Sequence, residues 1–262
     1  MKRLFPSFAL ILLTAAVCLA AAFFPCRDTA EPPPAVFVPV LLYHALAQEL
    51  PDDPYNLFVT PGRFDEHIQA LLDAGYTFIS FGELWDFHAN GEPLPDKPVI
   101  MTFDDGYIDN YTLAWPIIKR YGIKAAIFLA DATIGDGEHL TWEQMREMEA
   151  TGLVEIYSHG LVHHDYAALP IDIAVAEVLE AYENILRNLG RLRTIAFAYP
   201  YGSSSDELRA ALLDAGFDMQ VLTGGGLFDA VNGDYTAINR LQCKQGMSGE
   251  ELVAVATNSM EN

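Results

Sequence analysis

The sequence predicts an α/β fold built from parallel strands that alternate with crossover helices. Three observations support this prediction. The chain has 262 residues, enough for one large domain with a substantial core. Short apolar runs alternate with segments of helical spacing, and polar motifs directly follow three of these runs. A closed or partly closed (β/α) barrel and an open doubly wound sheet both fit, and in either one the functional groups lie at the carboxyl ends of the strands.

The first half of the domain is predicted to alternate strands with helices. In the first helix, apolar residues recur three or four positions apart, and the pattern stops at Gly75, a residue that commonly ends helices. The same reasoning places the other elements. In chain order they are a strand at 35–43, a helix at 64–74, a strand at 76–80, a helix at 81–89, a strand at 98–103, a helix at 110–121 and a strand at 124–129.

The second half repeats the alternation, again with a glycine after most of the helices. In chain order it is predicted to form a helix from 141 that stops at Gly152, a strand at 153–157, a helix at 171–189, a strand at 194–198, a helix at about 205–215, a strand at 217–222 and a last helix at 248–257.

The polar motifs at three strand ends predict a metal-dependent hydrolase. Asp104 and Asp105 follow one strand, His159 and His163 follow another, and the Tyr-Pro-Tyr-Gly motif at 199–202 follows a third. Each motif alone is weak, because Asp-Asp-Gly and Pro-containing segments favour turns and a hydrogen-bonded histidine pair would show the same spacing. Together they offer one carboxylate and two imidazoles as ligands, plus a second carboxylate as a base, which suits metal-assisted hydrolysis.

In this order and at these positions the motifs resemble those of the polysaccharide deacetylases of the NodB-homology group (carbohydrate esterase family 4). The family's first motif, Thr-Phe-Asp-Asp-Gly, is matched in full at 102–106. Ser158, His159 and His163 match the second motif, with Gly160 in place of its usual hydroxyl residue. The opening Pro-Val-Leu-Leu-Tyr-His at 39–44 also resembles many members. The resemblance covers about residues 39–240 and implies a distorted (β/α) barrel of parallel strands.

The resemblance also implies roles for individual residues. Asp105, His159 and His163 would hold a divalent metal ion, with zinc as the first candidate, although cobalt and nickel also suit these ligands. His164 is an alternative to His163 as the second histidine ligand. Asp104 would be the general base. The backbone N–H of Tyr201, in the match to the family's third motif, would donate to the oxyanion.

The sequence departs from the family pattern at two further points. Ala198 stands where the family has an arginine that orients the base, and Arg240 is either its substitute or a solvated surface charge. The family's C-terminal histidine acid is missing, since no histidine follows His164. His44, at the end of the first strand, is the candidate replacement, with a core histidine as the alternative. Either His44 or the protonated Asp104 would then protonate the leaving amine. The histidines at 67, 88 and 139 are predicted to lie on the surface.

The function implied is hydrolytic removal of N-acetyl groups from a polysaccharide that contains N-acetylglucosamine, with release of acetate. Two alternatives stay open. The same site could act as an O-acetyl esterase, since the chemistry is shared. The chain could also be a non-catalytic carbohydrate-binding relative, an interpretation that the two departures favour and the intact ligand set opposes.

The N-terminus predicts export. A basic start is followed by an apolar run, which is typical of a signal peptide or membrane anchor at 1–24. A proline-rich tether at 25–35 and a deacetylase-like domain at 36–262 would follow. The chain has 36 acidic and 15 basic residues and a formal net charge of −21. This charge would repel phosphates, so a nucleic acid partner is not expected.

Overall fold

The computed structural model describes residues 35–190 and 195–258. The predicted signal peptide or anchor at 1–24 and the tether at 25–35 lie outside the described residues, apart from Ala35. Within the described part of the chain, we find no helix with the length and apolar character that a membrane span requires.

The strands are short and mostly coincide with the predicted apolar runs. They are β1 (Phe37–Val38), β2 (Val40–Tyr43), β3 (Ala45–Leu46), β4 (Phe58–Val59), β5 (Thr77–Phe78), β6 (Pro98–Phe103), β7 (Ala125–Leu129), β8 (Val154–Ser158), β9 (Ala196–Ala198), β10 (Met219–Val221), β11 (Phe228–Asp229) and β12 (Leu241–Gln242). Every residue of β6 and β7 is buried, which explains their uninterrupted apolar sequences.

The central sheet has the strand order β10-β9-β8-β7-β6-β2-β12, with β5 beside the start of β6, and all of these pairings are parallel. One segment after β11 contacts both ends of this order. Ile238 pairs with Val221 at the β10 end, and Leu241 and Gln242 pair with β2 at the other end. The sheet is therefore a curled, incomplete barrel of parallel strands, as predicted, and Arg240 lies within the segment that spans its gap.

In the described part of the chain, seven α-helices follow the strands, close to their predicted positions. They are α1 (Pro61–Asp73), α2 (Phe81–Asn90), α3 (Trp115–Tyr121), α4 (Trp142–Glu149), α5 (Ile171–Leu189), α6 (Asp206–Asp214) and α7 (Gly249–Asn258). Ser80 and Thr141 begin α2 and α4 with capping boxes. The helix predicted at 110–121 opens instead with a π-helical turn, Asn110–Ala114. This turn is tied to the first strands, since the Asn110 side chain donates to the His44 carbonyl oxygen at 2.8 Å.

The alternation of side chains along β6 determines what faces the interior of the barrel. Ile100 belongs to a buried cluster with Phe128, Tyr157 and Val221, which come from strands all around the sheet. Because side chains on one face recur every second residue, Thr102 and then Asp104 continue the face of Ile100. The first carboxylate of the Asp-Asp-Gly motif is thus directed into the mouth of the barrel.

Candidate active site

Asp104 and Arg240 form a buried, bidentate ion pair. Arg240 Nη1 and Nη2 each lie 2.6 Å from one carboxylate oxygen of Asp104, and Arg240 is only 1% exposed. Arg240 also donates from Nε to the Leu222 carbonyl oxygen at 3.0 Å and from Nη1 to the Thr102 hydroxyl oxygen at 3.1 Å. Burial alone would raise the pKa of Asp104, but the charges of Arg240 and His159 outweigh it and lower the pKa to about 2. Asp104 is therefore ionised at neutral pH, and the interpretation of Arg240 as a solvated surface charge is wrong.

Asp105, His159 and His163 bring three potential ligand atoms together. Oδ1 of Asp105 lies 3.6 Å from Nε2 of His159 and 3.4 Å from Nε2 of His163, and all three atoms lie within 4.8 Å of one another. A tetrahedral zinc ion about 2.1 Å from its ligands separates them by about 3.4 Å. The same Oδ1 is buried without a hydrogen-bond partner among the described residues. An orphaned buried oxygen beside two imidazoles fits a divalent cation.

The backbone around the Asp-Asp-Gly motif directs the two carboxylates differently. Asp105 and Gly106 adopt left-handed φ angles of 68° and 75°, a conformation that Asp tolerates and Gly prefers. A Cβ atom on Gly106 would lie 2.6 Å from Leu129 of the neighbouring strand, so the turn requires glycine. The turn leaves Asp104 paired with Arg240 and places Asp105 beside the histidines.

His159 is held with one ring nitrogen available for a metal. Its Nδ1 lies 2.7 Å from the carbonyl oxygen of Ala198, so Nδ1 carries the proton and donates it. Burial lowers the pKa of His159, although Asp104 and Asp105 oppose this effect. The ring is therefore held neutral, with the lone pair of Nε2 facing Asp105.

The loop after β8 carries His163 to the site through a sharp bend and not through a helix. Gly160 has φ 98°, and a Cβ there would lie 2.3 Å from the hydroxyl oxygen of Tyr166. That hydroxyl donates to the Val162 carbonyl oxygen at 3.0 Å and accepts from the Leu161 N–H at 2.9 Å. Tyr166 thus fixes the loop, and its ring occupies the space that a side chain at position 160 would need.

His164, the alternative ligand, points away from this group. Its Nδ1 pairs with Glu177 Oε2 of α5 at 3.0 Å. It is also absent from the cluster of potential ligands formed by the described residues. The geometry therefore favours His163.

Tyr201 lies beside His163 in a strained turn after β9. Tyr201 has φ 61°, a left-handed angle that is uncommon for residues other than glycine. Its ring packs edge-on against His163, with 4.5 Å between ring centroids. The residue is 68% exposed, and it lines the same cleft as the predicted metal ligands.

His44 lies at the end of β2, close enough to the two aspartates to interact with their charges. Burial lowers the pKa of His44, while Asp104 and Asp105 raise it. His44 is among the residues that line the same cleft as the predicted ligands. This position fits the predicted role of His44 in the site better than that of an enclosed core histidine.

A cleft of about 1030 Å³ opens over these groups. Several residues that line this cleft were not predicted from the sequence. Tyr55 and Gln242 line it, and so does His139, which stacks on Tyr107 with 5.0 Å between ring centroids.

The side chain of His139 is only 14% exposed, and His67 is fully buried between the hydroxyl of Tyr43 and a backbone carbonyl. The surface prediction is wrong for His67, because Tyr43 and Met247, both distant along the chain, enclose it. His139 is partly enclosed by Tyr107 and by Asp136, three positions before it.

Comparison with known proteins identifies the family. Residues 91–220 match the family model described as polysaccharide deacetylase. The YxkH protein of Bacillus subtilis strain 168, whose name assigns it to the polysaccharide deacetylases, is 33% identical over 217 residues, which cover 83% of this chain and 75% of YxkH. The chain therefore belongs to the polysaccharide deacetylase family.

Other relatives agree with the fold and the class of enzyme. The solved structure of the Streptococcus pyogenes deacetylase PplD in complex with acetate has a TM-score of 0.79 and 32% identity, covering 85% of this chain and 99% of PplD. IcaB from Ammonifex degensii has a TM-score of 0.72 and 26% identity, covering 84% and 97%. The poly-β-1,6-N-acetyl-D-glucosamine N-deacetylase of Escherichia coli K12 is 26% identical over 276 residues. This match covers 87% of the present chain but 41% of the E. coli enzyme, so the chain spans less than half of that relative.

Proposed function

We propose that this protein removes N-acetyl groups from a polysaccharide that contains N-acetylglucosamine, in a reaction that depends on a divalent metal ion, with zinc as the first candidate. The observation that carries the proposal is the convergence of Asp105, His159 and His163 around one point, beside an ionised Asp104. The polymer is suggested by relatives named as poly-β-1,6-N-acetyl-D-glucosamine N-deacetylases.

The metal ligands in this proposal are Asp105, His159 and His163. When bound, a divalent ion lowers the pKa of a water molecule and polarises a carbonyl group. The chain contributes the orientation of these ligands. The carbonyl of Ala198 fixes the tautomer of His159, and the bend at Gly160 brings His163 to within 3.4 Å of Asp105.

Asp104 is proposed as the general base. Arg240 holds both of its oxygens, so the carboxylate has a fixed orientation and stays ionised throughout the neutral range. It accepts a proton from the water whose oxygen bonds to the acetyl carbon. The backbone N–H of Tyr201 would donate to the oxyanion that forms on the carbonyl oxygen, a type of contact that can contribute about 3–4 kcal/mol.

Either His44 or Asp104, once Asp104 has accepted the proton of the water, is proposed to protonate the amine as the carbon–nitrogen bond breaks. Acetate leaves, and the sugar keeps a free amino group. The two departures from the family motifs therefore do not argue for a lapsed enzyme: Arg240 supports Asp104 in place of an arginine at 198, and His44 lies in the cleft although no C-terminal histidine is available.

The location of the enzyme is part of the proposal. The basic and apolar N-terminus supports export, with residues 1–24 acting as a signal peptide or membrane anchor and residues 25–35 as a tether. Export would place the domain where an extracellular polysaccharide is accessible.

The test is acetate release from β-1,6-linked N-acetylglucosamine oligomers by the purified protein and by Asp104→Asn. We expect acetate and free amine in equal amounts from the wild type, and neither from the variant. An O-acetylated oligomer assayed in parallel separates amide from ester hydrolysis. Release only from the ester would replace the N-deacetylase proposal with an esterase, and release from neither would refute both.

A further inference from the structure

Tyr55 has the most exposed large apolar side chain among the described residues, and it lies within the active-site cleft. The residue is 74% exposed, and it lines the same cavity as Asp104 and His159. Removing apolar and aromatic surface from water is favourable and lowers the free energy of the system. An open aromatic ring inside a concave site is therefore a surface for a ligand.

The loop that carries Tyr55 is held in place from within. Asp53 accepts hydrogen bonds from the backbone N–H groups of Tyr55 at 2.9 Å and Phe58 at 3.1 Å, and also from that of Leu57. The side chain of Gln242 donates to the Tyr55 carbonyl oxygen at 3.2 Å, which attaches the loop to β12. Because the backbone is already ordered, a ligand that covers the ring has little loop entropy to overcome.

Tyr55 and the other exposed tyrosine of the site are held by different elements. The metal-binding loops follow β6 and β8, Tyr201 follows β9, and Tyr55 is attached to β12, which β2 separates from β6. The cavity, about 1030 Å³, lies at the upper limit for pockets that enclose a drug-sized molecule. An acetamido group alone leaves most of this volume unfilled.

We propose that Tyr55 forms a stacking subsite for a pyranose ring of the substrate chain that lies beyond the sugar being deacetylated. The inference rests on the proposed function, because it concerns the same cleft and the same polymer. The apolar face of a pyranose ring fits an open tyrosine ring. Gln242 lines the cleft beside this subsite, where its amide would form hydrogen bonds with sugar hydroxyls. The enzyme would therefore favour oligomers long enough to reach Tyr55 over a disaccharide.

The experiment compares the wild type, Tyr55→Ala, Tyr55→Phe and Leu213→Ala. Leu213 is a matched control, an exposed apolar residue on α6 that is 46% exposed and does not line the cleft. For each protein we would measure kcat/KM for acetate release from the β-1,6-linked N-acetylglucosamine pentamer and dimer, and the affinity for the pentamer by calorimetry. Thermal unfolding would verify that every variant is folded.

We expect Tyr55→Ala to lower the pentamer-to-dimer ratio of kcat/KM, and the affinity for the pentamer, about tenfold. Tyr55→Phe keeps the ring and should retain both values, and Leu213→Ala should match the wild type. Equal ratios and affinities in Tyr55→Ala and the wild type would overturn the subsite. If the wild type releases no acetate, the proposed function fails, and the calorimetric difference alone then decides on Tyr55. A wild type that binds no pentamer overturns the subsite as well, and an aromatic contact for a partner protein would then account for the exposed ring.

Discussion

Replacement of Arg240 by methionine should destabilise the protein and also disturb its catalytic base. Methionine keeps much of the side-chain volume but removes both hydrogen bonds to Asp104, which is buried with its charge. Breaking a buried ion pair by removal of one partner typically costs about 3–5 kcal/mol of unfolding free energy. The same change at Arg120, whose ion pair with Asp65 is exposed on both sides, should cost less than about 1 kcal/mol and serves as the matched control.

The pH dependence of this effect has a defined sign. The pKa of Asp104 is lowered from 3.8 to about 2 in the folded protein, a difference worth about 2 kcal/mol. Because the folded-state pKa is depressed, this stabilisation is present above pH 3.8 and is lost as the pH falls toward 2. In Arg240→Met the effect of burial dominates, so the pKa of Asp104 rises.

The assay combines chemical unfolding with the pH profile of kcat/KM for acetate release. We expect the acid limb of the profile to move to higher pH in Arg240→Met and to stay in place in Arg120→Met. If Arg240→Met is too unstable to assay, Arg240→Lys keeps the charge but not the bidentate contact, and it should show a smaller shift in the same direction. Unfolding free energies that match between the two methionine variants, or an unmoved acid limb, would refute the assignment of Arg240 as the positioning residue for Asp104.

Three further predictions concern the loop after β8 and α4. His163→Ala should lose most of its affinity for zinc in calorimetric titration, whereas His164→Ala should bind like the wild type, since His164 pairs with α5; equal losses would contradict the ligand choice. Gly160→Ser, which restores the hydroxyl residue usual in the family, should weaken zinc binding at least tenfold because its side chain collides with Tyr166; unchanged affinity would contradict the role of the bend. Burial raises the pKa of Glu149 from 4.5 to about 7, so the ionisation of this group lowers the stability of the folded protein as the pH rises from 4.5 to 7. Glu149→Gln should therefore be more stable than the wild type at pH 8 but not at pH 4. The opposite order of unfolding free energies in chemical unfolding would contradict this sign.

Sequence periodicity was sufficient for the parts of the fold that depend on local pattern. The predicted helix at 171–189 is α5, and the predicted strand at 98–103 is β6, because each buries one continuous apolar face or run. The strands β3, β4, β11 and β12 have two residues each, too few to show any periodicity. They form because long-range partners supply their hydrogen bonds.

In the candidate site too, some features follow from local sequence motifs and others from long-range contacts. The ligand set could be proposed from motifs because each motif is contiguous and follows a strand. Arg240 lies 136 positions from Asp104, and only the closure of the barrel by the segment around β12 brings the two together. In the sequence, Gly160 stands only as a departure from the family motif. The structure gives the steric reason for a glycine there, since a side chain at position 160 would collide with Tyr166.

A zinc titration of the metal-free protein tests the central proposal most directly, with acetate release from an N-acetylglucosamine pentamer followed at each addition. The proposed site predicts that release rises in proportion to zinc and saturates at one equivalent. It also predicts that Asp104→Asn binds one equivalent and releases nothing, because the metal ligands are intact and the base is lost. Full release in the presence of a chelator, or wild-type release by Asp104→Asn, would contradict the account.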